Sequence, residues 1–251
     1  MDRLSFREPY NIKKVSIVIP AKNEENNIGI VLDEFNKSIH GLGKSFEIIV
    51  VDDRSDDRTR EIALERGAQV IINKRPSGKG NALRSGFEMS TGDVIVMLDA
   101  DYSHKPADIH LFLEGIEKGA GLVIGSRIWG GSDEYTKVRA TGNFFLTALF
   151  GLIFDEYLSD VLNGYKAFRR EVFDNYKYTS SSFEIEIELV VNALRYGYKI
   201  LEVPSHERAR AGGKMKSSVV RHGIKFLARI LLEAFKFYVL KQKGSYKKEV
   251  C

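Results

Sequence analysis

VIVMLDAD, residues 94–101, decides the reading of the fold. Its first five residues are all apolar and mostly β-branched, without the polar alternation of a half-exposed strand, so it reads as a strand covered on both faces. Asp99 and Asp101 then stand where that strand leaves the sheet. The same kind of run recurs at 15–20 (VSIVIP), 47–52 (EIIVVD), 69–73 and 122–126 (LVIGS). Helical patterns lie between these runs, at 26–39, 59–66, 79–89 and 106–118, the last opening on Pro106, which suits a first helical turn. Strand alternating with helix predicts an α/β fold with a mostly parallel sheet and ligands at the carboxyl ends of the strands.

Past Arg127 the rhythm changes. A glycine pair (Gly130, Gly131) precedes a helical pattern at 141–153, a strand-like GYKAF begins at Gly164, and a helix at 184–195 leads to a strand at 199–203. Gly212 and Gly213 interrupt a basic stretch before a final helix over 217–242. There Val220, Ile224, Leu227, Leu231, Phe235 and Tyr238 recur at steps of three and four, with Arg221, Lys225, Arg229 and Lys236 on another face. Such a stripe either packs on the core, lies in the headgroup region of an anionic leaflet, or docks to a membrane-embedded partner subunit; the basic tail Lys241, Lys243, Lys247 and Lys248 favours the leaflet. The expected organisation is an extension over 1–14, one α/β domain over 15–216, and an amphipathic basic helix and tail over 217–251.

Composition narrows the class. In 251 residues, 38 basic side chains against 34 acidic ones give a net charge of +4, too small an excess for nucleic-acid binding. Cys251 is the single cysteine, which excludes an internal disulfide or multi-cysteine zinc site and fits a reducing cytoplasm. Residues 1–14 carry no apolar stretch, and the greasiest segment, 144–154, is far shorter than the ~20 residues that cross a bilayer. The expectation is a cytoplasmic chain, peripheral on the cytoplasmic face of a membrane.

Asp52 and Asp53 follow the second strand as Asp99 and Asp101 follow the fourth, so both acidic pairs fall on one rim of the sheet. Two carboxylates in Asp-Ala-Asp can share one hard divalent cation, which would neutralise a departing diphosphate. Turn and helix capping is the competing reading, strongest for Asp52, Asp53 and Ser55. Ser77-Gly78-Lys79-Gly80-Asn81 precedes a helix and suits an anion, although it is no Walker loop. No Gly-x-Gly-x-x-Gly follows the first strand, which counts against a dinucleotide-dependent oxidoreductase.

Taken in order, VSIVIPAKNEENNI, EIIVVDDRSDD, SGKGNALRSG, VIVMLDADYSHKP, VIGSR, SDVLNGYKAFRR and FEIEIELV resemble the family-2 glycosyltransferases, most closely the polyprenol- and dolichol-phosphate mannose synthase branch. The resemblance implies a GT-A fold, an inverting mechanism, Mg²⁺ or Mn²⁺, and transfer of a hexose, with GDP-mannose the first donor to consider, onto dolichyl or polyprenyl phosphate. It also implies that Pro20, Glu24, Asp52 and Asp53 hold the donor's base and ribose, and that Lys79 lies near its diphosphate. By the same likeness Asp99 and Asp101 bind the metal, Arg127 and Arg139 receive the acceptor phosphate, and Arg210 and Lys216 belong to a loop closing over the donor. Two departures stand out: Ser103 replaces the glutamine that completes the metal shell, and Met215 replaces a serine before the closing lysine. UDP-glucose or UDP-N-acetylglucosamine as donor, a saccharide acceptor, or a non-catalytic nucleotide-sugar-binding subunit remain competing readings.

A phosphate monoester with a second pKa around 6 is mostly dianionic at neutral pH and needs no strong base. Asp160, the family's acceptor-side aspartate, is therefore expected to orient, with base catalysis second; a turn cap before Asn163-Gly164 is the bland reading. Glu184 and Glu186 open a helix, where acids favour the dipole; that bland reading is the better one for Glu186, while for Glu184 it stands beside a second reading in which the side chain also reaches the site. His104 reads as structural, and Trp129 as buried or interfacial.

Overall fold

The buried runs and helical patterns come together in a computed structural model that describes residues 9–134, 136–211 and 219–240. β1 (Lys14–Ala21) pairs in parallel with β2 (Ser45–Asp52) and β4 (Val94–Met97), and β2 in parallel with β3 (Gln69–Ile72). β5 (Leu122–Ser126) and β7 (Ile200–Pro204) form a second parallel pair. β6 (Lys166–Arg169) joins the halves, antiparallel to both β4 and β5, giving seven strands in the order β3-β2-β1-β4-β6-β5-β7.

The antiparallel strand was not legible as such, and it matters for the site. Met97 and Ile124 both register on Lys166. Residues 160–164, which enter β6, therefore arrive at the rim where β4 and β5 leave the sheet, beside Asp99 and Arg127.

Side chains of β1 alternate between two cores. Ile17 and Ile19 pack with Leu32 and Phe35 of α1 (Ile28–Ile39) and with Phe112 of α4 (Ile109–Glu117). Val18 lies in the opposite core with Phe87 of α3 (Lys79–Met89), Phe150 of α6 (Lys137–Phe154) and Leu189 of α8 (Ile185–Arg195). Phe35, Phe87, Phe112 and Phe150 are fully buried, each contributing about 1.5–3 kcal/mol of transfer free energy. Helix α3 sits so close to the sheet that a Cβ on Gly86 would lie 2.3 Å from a Val18 methyl, a contact only glycine allows.

Several expected boundaries shift. Thr136 caps α6 by accepting from the Arg139 N–H, so the helix starts four residues before the expected 141. A 3₁₀ turn, Pro106–Asp108, precedes α4, and the shorter helices are α2 (Thr59–Glu65), α5 (Arg127–Gly130) and α7 (Arg170–Asp174). β3 is an edge strand with Ile72 about half exposed, not covered on both faces.

The final helix departs most. α9 (Val219–Ala234) continues as a π turn, Phe235–Val239, and packs on α6 and α8. Its inward side is Phe226, Arg229, Ile230 and Glu233, whereas Ile224, Leu231, Phe235 and Tyr238 of the expected stripe are 51–64% exposed. The reading in which the stripe packs on the core is corrected for these four residues, whereas Leu227 lies against the core cluster. Arg229, expected on the solvent face, is 9% exposed and paired with Glu188 and Glu233, and these ion pairs set the helix's rotation.

Candidate active site

A cleft of about 190 Å³ opens at the carboxyl ends of β4 and β5. Its floor carries a chain of charges. The Lys79 ammonium, at the start of α3, lies 2.6 Å from Asp99 Oδ1 and 2.8 Å from Glu186 Oε1. Burial alone would raise the Asp99 carboxyl, but Lys79 and His104 outweigh it and hold it well below the usual carboxylate range. The same two acids raise Lys79 above its ordinary value against the effect of burial. Gly164 makes room for this triad: a Cβ there would stand 3.0 Å from Lys79 Nζ and 3.1 Å from Asp99 Oδ2.

Asp101 is held from two sides. Its Oδ1 accepts from the Ser103 amide at 3.1 Å and hydroxyl at 2.6 Å, while its Oδ2 pairs with Arg210 at 2.5 Å. Ser103, at the family's glutamine position, thus orients the carboxylate. The donor set for a cation is all oxygen, and each acid is countered by a side-chain cation, the charge that a divalent ion would supply. Asp99 and Asp101 therefore fit a hard metal ion, which these two carboxylates would hold. Among the described residues no group of three or more acids, histidines or cysteines converges as a metal site, so the protein's share of the coordination would rest on these two.

Across the cleft, Arg127 follows β5 and Asp160 precedes β6. The Arg127 Nε and Nη2 reach the two Asp160 oxygens at 2.7 and 2.8 Å, and the Arg127 amide adds a third bond at 3.0 Å. Asn143 donates to the same carboxylate at 2.8 Å. Burial would raise Asp160, but Arg127 and Asn143 prevail and lower it. A carboxylate so held is a poor proton acceptor, which fits the orienting role and not the base. Glu207, just after β7, lies 3.4 Å from Arg127 and 3.5 Å from Arg139 and draws both guanidiniums to one wall.

The remaining expected residues divide. Pro20, Glu24, Asp52 and Asp53 sit along the β1–β2 part of the rim and do not line the cleft. The Asp53 carboxylate is taken up by Asn73, Ser77 and the Gly78 amide, which ties down the loop ahead of α3. Asp52 accepts from the Ser55 amide, the turn-capping arrangement. Lys216 and Met215 lie outside the described residues. Glu186 departs from the expectation by reaching Lys79, whereas Glu184 keeps the capping reading and accepts from the amides of Ser181 and Ser182. His104 is buried but lines the cleft, 3.7 Å from Asp99, and Trp129 is 59% exposed.

Sequence reasoning missed Glu207, Arg208, Asn143 and Lys166. The first two follow a parallel strand, the signal already used for Asp52 and Asp99. Lys166 is fully buried, donating to the carbonyls of Val161 and Asn163, and burial pushes it down to about 8. Strain concentrates on the same rim: Asn23, Arg54 and Tyr102, with φ of 51°, 62° and 72°, follow β1, β2 and β4.

Residues 16–177 match the family described as Glycosyl transferase family 2. The chain is 32% identical over 229 residues to the dolichol-phosphate mannosyltransferase of Pyrococcus furiosus, which covers 87% of this chain and 64% of that protein. It therefore spans just under two thirds of that relative's length. The dolichyl-phosphate hexose transferase of Haloferax volcanii is 32% identical over 203 residues, 81% of this chain and 86% of that protein. Among solved structures, glucosyl-3-phosphoglycerate synthase from Mycobacterium tuberculosis, in complex with Mn²⁺, UDP and glucosyl-3-phosphoglycerate, superposes with a TM-score of 0.70 at 25% identity, over 88% of this chain and 80% of that one.

Proposed function

Because this chain belongs to glycosyl transferase family 2, we propose that it transfers a hexose from a nucleotide diphosphate, with GDP-mannose the first candidate, onto dolichyl or polyprenyl phosphate at a membrane surface. One observation carries the reading: a single cleft holds the acids Asp99 and Asp101 opposite the arginine wall of Arg127 and Arg139. That is a cation site for a donor's diphosphate facing an anion site for an acceptor's phosphate.

In this scheme Pro20, Glu24 and Asp52 lie along the donor's base and ribose, and Asp53 fixes the loop that brings Lys79 to the diphosphate. Asp99 and Asp101 hold Mg²⁺ or Mn²⁺, which would stabilise charge on the leaving diphosphate. Arg210, released from Asp101, turns its charge to the donor phosphates together with Lys216. Arg127, locked by Asp160 and Glu207, presents a preorganised cation to the acceptor phosphate. A dianionic phosphate oxygen is already a nucleophile, so the low proton affinity of Asp160 is no handicap.

The names of both dolichyl-phosphate relatives support the lipid acceptor, and two helices beside the cleft support a membrane surface. α6 exposes Phe144, Phe145 and Leu152, and its neighbour α9 exposes Ile224, Leu231 and Phe235. No helix among the described residues is long and apolar enough to cross a membrane; the exposed faces of α6 and α9 support an interfacial attachment or docking to a membrane-embedded partner. The test is a donor panel of GDP-mannose and UDP-hexoses with a short-chain polyprenyl phosphate, with Mn²⁺ or with EDTA. Transfer is expected with one donor, abolished by EDTA, and reduced at least ~10²-fold in Asp101→Asn. Full activity in that variant would remove the metal assignment.

A further inference from the structure

Two residues before Arg210, Arg208 is committed to the backbone of the turn that carries Asp101. Its amide donates to the Ser103 carbonyl at 2.8 Å, its Nε to the Tyr102 carbonyl at 3.2 Å, and its Nη2 to the His104 carbonyl at 2.7 Å. All three carbonyls of 102–104 thus accept from one residue. The guanidinium also lies 3.6 Å from the Tyr102 ring centroid. Its outer edge forms a two-point pair with Glu34 of α1, at 3.0 Å to each oxygen.

The turn needs such a clamp. Tyr102 has φ of 72°, a left-handed conformation that a bulky non-glycine residue adopts only when its surroundings impose it. The next residue, Ser103, aims its amide and hydroxyl at Asp101 Oδ1. Carbonyls on one side of the turn are fixed by Arg208, and donors on the other side fix the carboxylate. If Tyr102 relaxed to negative φ, the Ser103 donors would swing away and Asp101 would lose its orientation.

We propose that Arg208 is a positioning residue for the cation site, holding Tyr102 in the left-handed conformation so that Ser103 can orient Asp101 toward the metal. The inference rests on the reading of Asp101 as a metal ligand. Glu34 anchors the clamp, so helix α1, remote in sequence, contributes to the geometry of the site.

The experiment measures Mn²⁺ binding by electron paramagnetic resonance, and amide exchange of the peptide covering 101–104 in EDTA, on the full chain. Arg208→Ala should weaken Mn²⁺ affinity roughly 10–100-fold, as loss of a residue supporting a metal ligand does, and speed exchange in that peptide. Adding Tyr102→Gly to Arg208→Ala should recover at least about threefold of the affinity, because glycine adopts positive φ unaided. A general loss of structure would show no such rescue. Affinity in folded Arg208→Ala within twofold of wild type overturns the proposal, as does a loss that glycine at 102 leaves untouched. Should Arg208→Ala not fold, Glu34→Gln is the second variant; weaker Mn²⁺ binding and faster exchange are expected, and wild-type values for both overturn the clamp. If the wild-type chain binds no Mn²⁺, the metal reading falls on its own, and the exchange rates still decide whether Arg208 holds the turn.

Discussion

Asp160 and Lys166 stand at the two ends of the segment that enters β6, and each is governed by what surrounds it more than by its chemical type. Asp160 is wholly enclosed by Arg127 and Asn143. Were it a general base, Asp160→Asn would lower kcat by about 10²–10⁴-fold with little effect on acceptor KM. As the partner that aims Arg127, it predicts the opposite split: acceptor KM rising about tenfold and kcat falling by less than that. Steady-state kinetics with varied polyprenyl phosphate distinguish the two. Lys166 has traded water for the carbonyls of Val161 and Asn163, and burial brings it to about 8 despite the attraction of Glu186 and Asp160. The unfolded chain keeps this proton up to its ordinary 10.5 and the folded chain only to about 8, so between those values the unfolded state binds more proton and stability rises with pH. Over that window the gain from this one group is about 3 kcal/mol. Urea unfolding of wild type and Lys166→Met should differ increasingly in favour of wild type from pH 8 to 10.5; a constant difference would refute the buried titration.

At the scale of elements, α9 shows why periodicity alone misassigns a helix face. Its apolar residues recur at helical spacing, yet the face that meets α8 is organised around Glu233, which has no exposed surface and pairs with Arg195 and Arg229 at 3.1 Å and with Lys236 at 2.8 Å. Burial would raise the Glu233 carboxyl, and these cations reverse it and hold it below its ordinary value. Replacing Glu233 with Ala leaves Arg195 and Arg229 buried without their shared counter-charge, and should cost about 3–5 kcal/mol. A lowered denaturation midpoint with an unchanged m-value is the expected signature. The same element explains why most of the stripe faces outward: four charged groups that need one another fix the rotation of the helix, Phe226 and Ile230 share their side, and Ile224, Leu231, Phe235 and Tyr238 take the side that is left.

For the molecule as a whole, α9 packs on α6, and α6 also exposes apolar residues, with Phe144 and Leu152 each 74% exposed. A pair of substitutions, Phe144→Ser with Phe235→Ser, should weaken sedimentation with anionic vesicles at least tenfold, since each ring burying in lipid contributes about 1.5–3 kcal/mol. Donor binding should stay at the wild-type level, and vesicle binding that survives both changes would eliminate this face as the attachment surface. The sequence by itself determined the α/β alternation, the strands at 15–20 and 94–97, and the rim position of Asp99 and Asp101. These follow from local patterns, because a strand buried on both faces must be apolar along its length and must end at a sheet edge. Only the tertiary structure decided that β6 runs antiparallel, that Glu186 and not Glu184 enters the cleft, that Asp53 serves a loop, and that Arg208 grips the carbonyls of 102–104. Each of those outcomes depends on which distant segment supplies the partner for a buried charge or an unpaired carbonyl. Such pairings join residues up to 174 positions apart, as Glu34 and Arg208 are, and pattern within a single window carries no record of them.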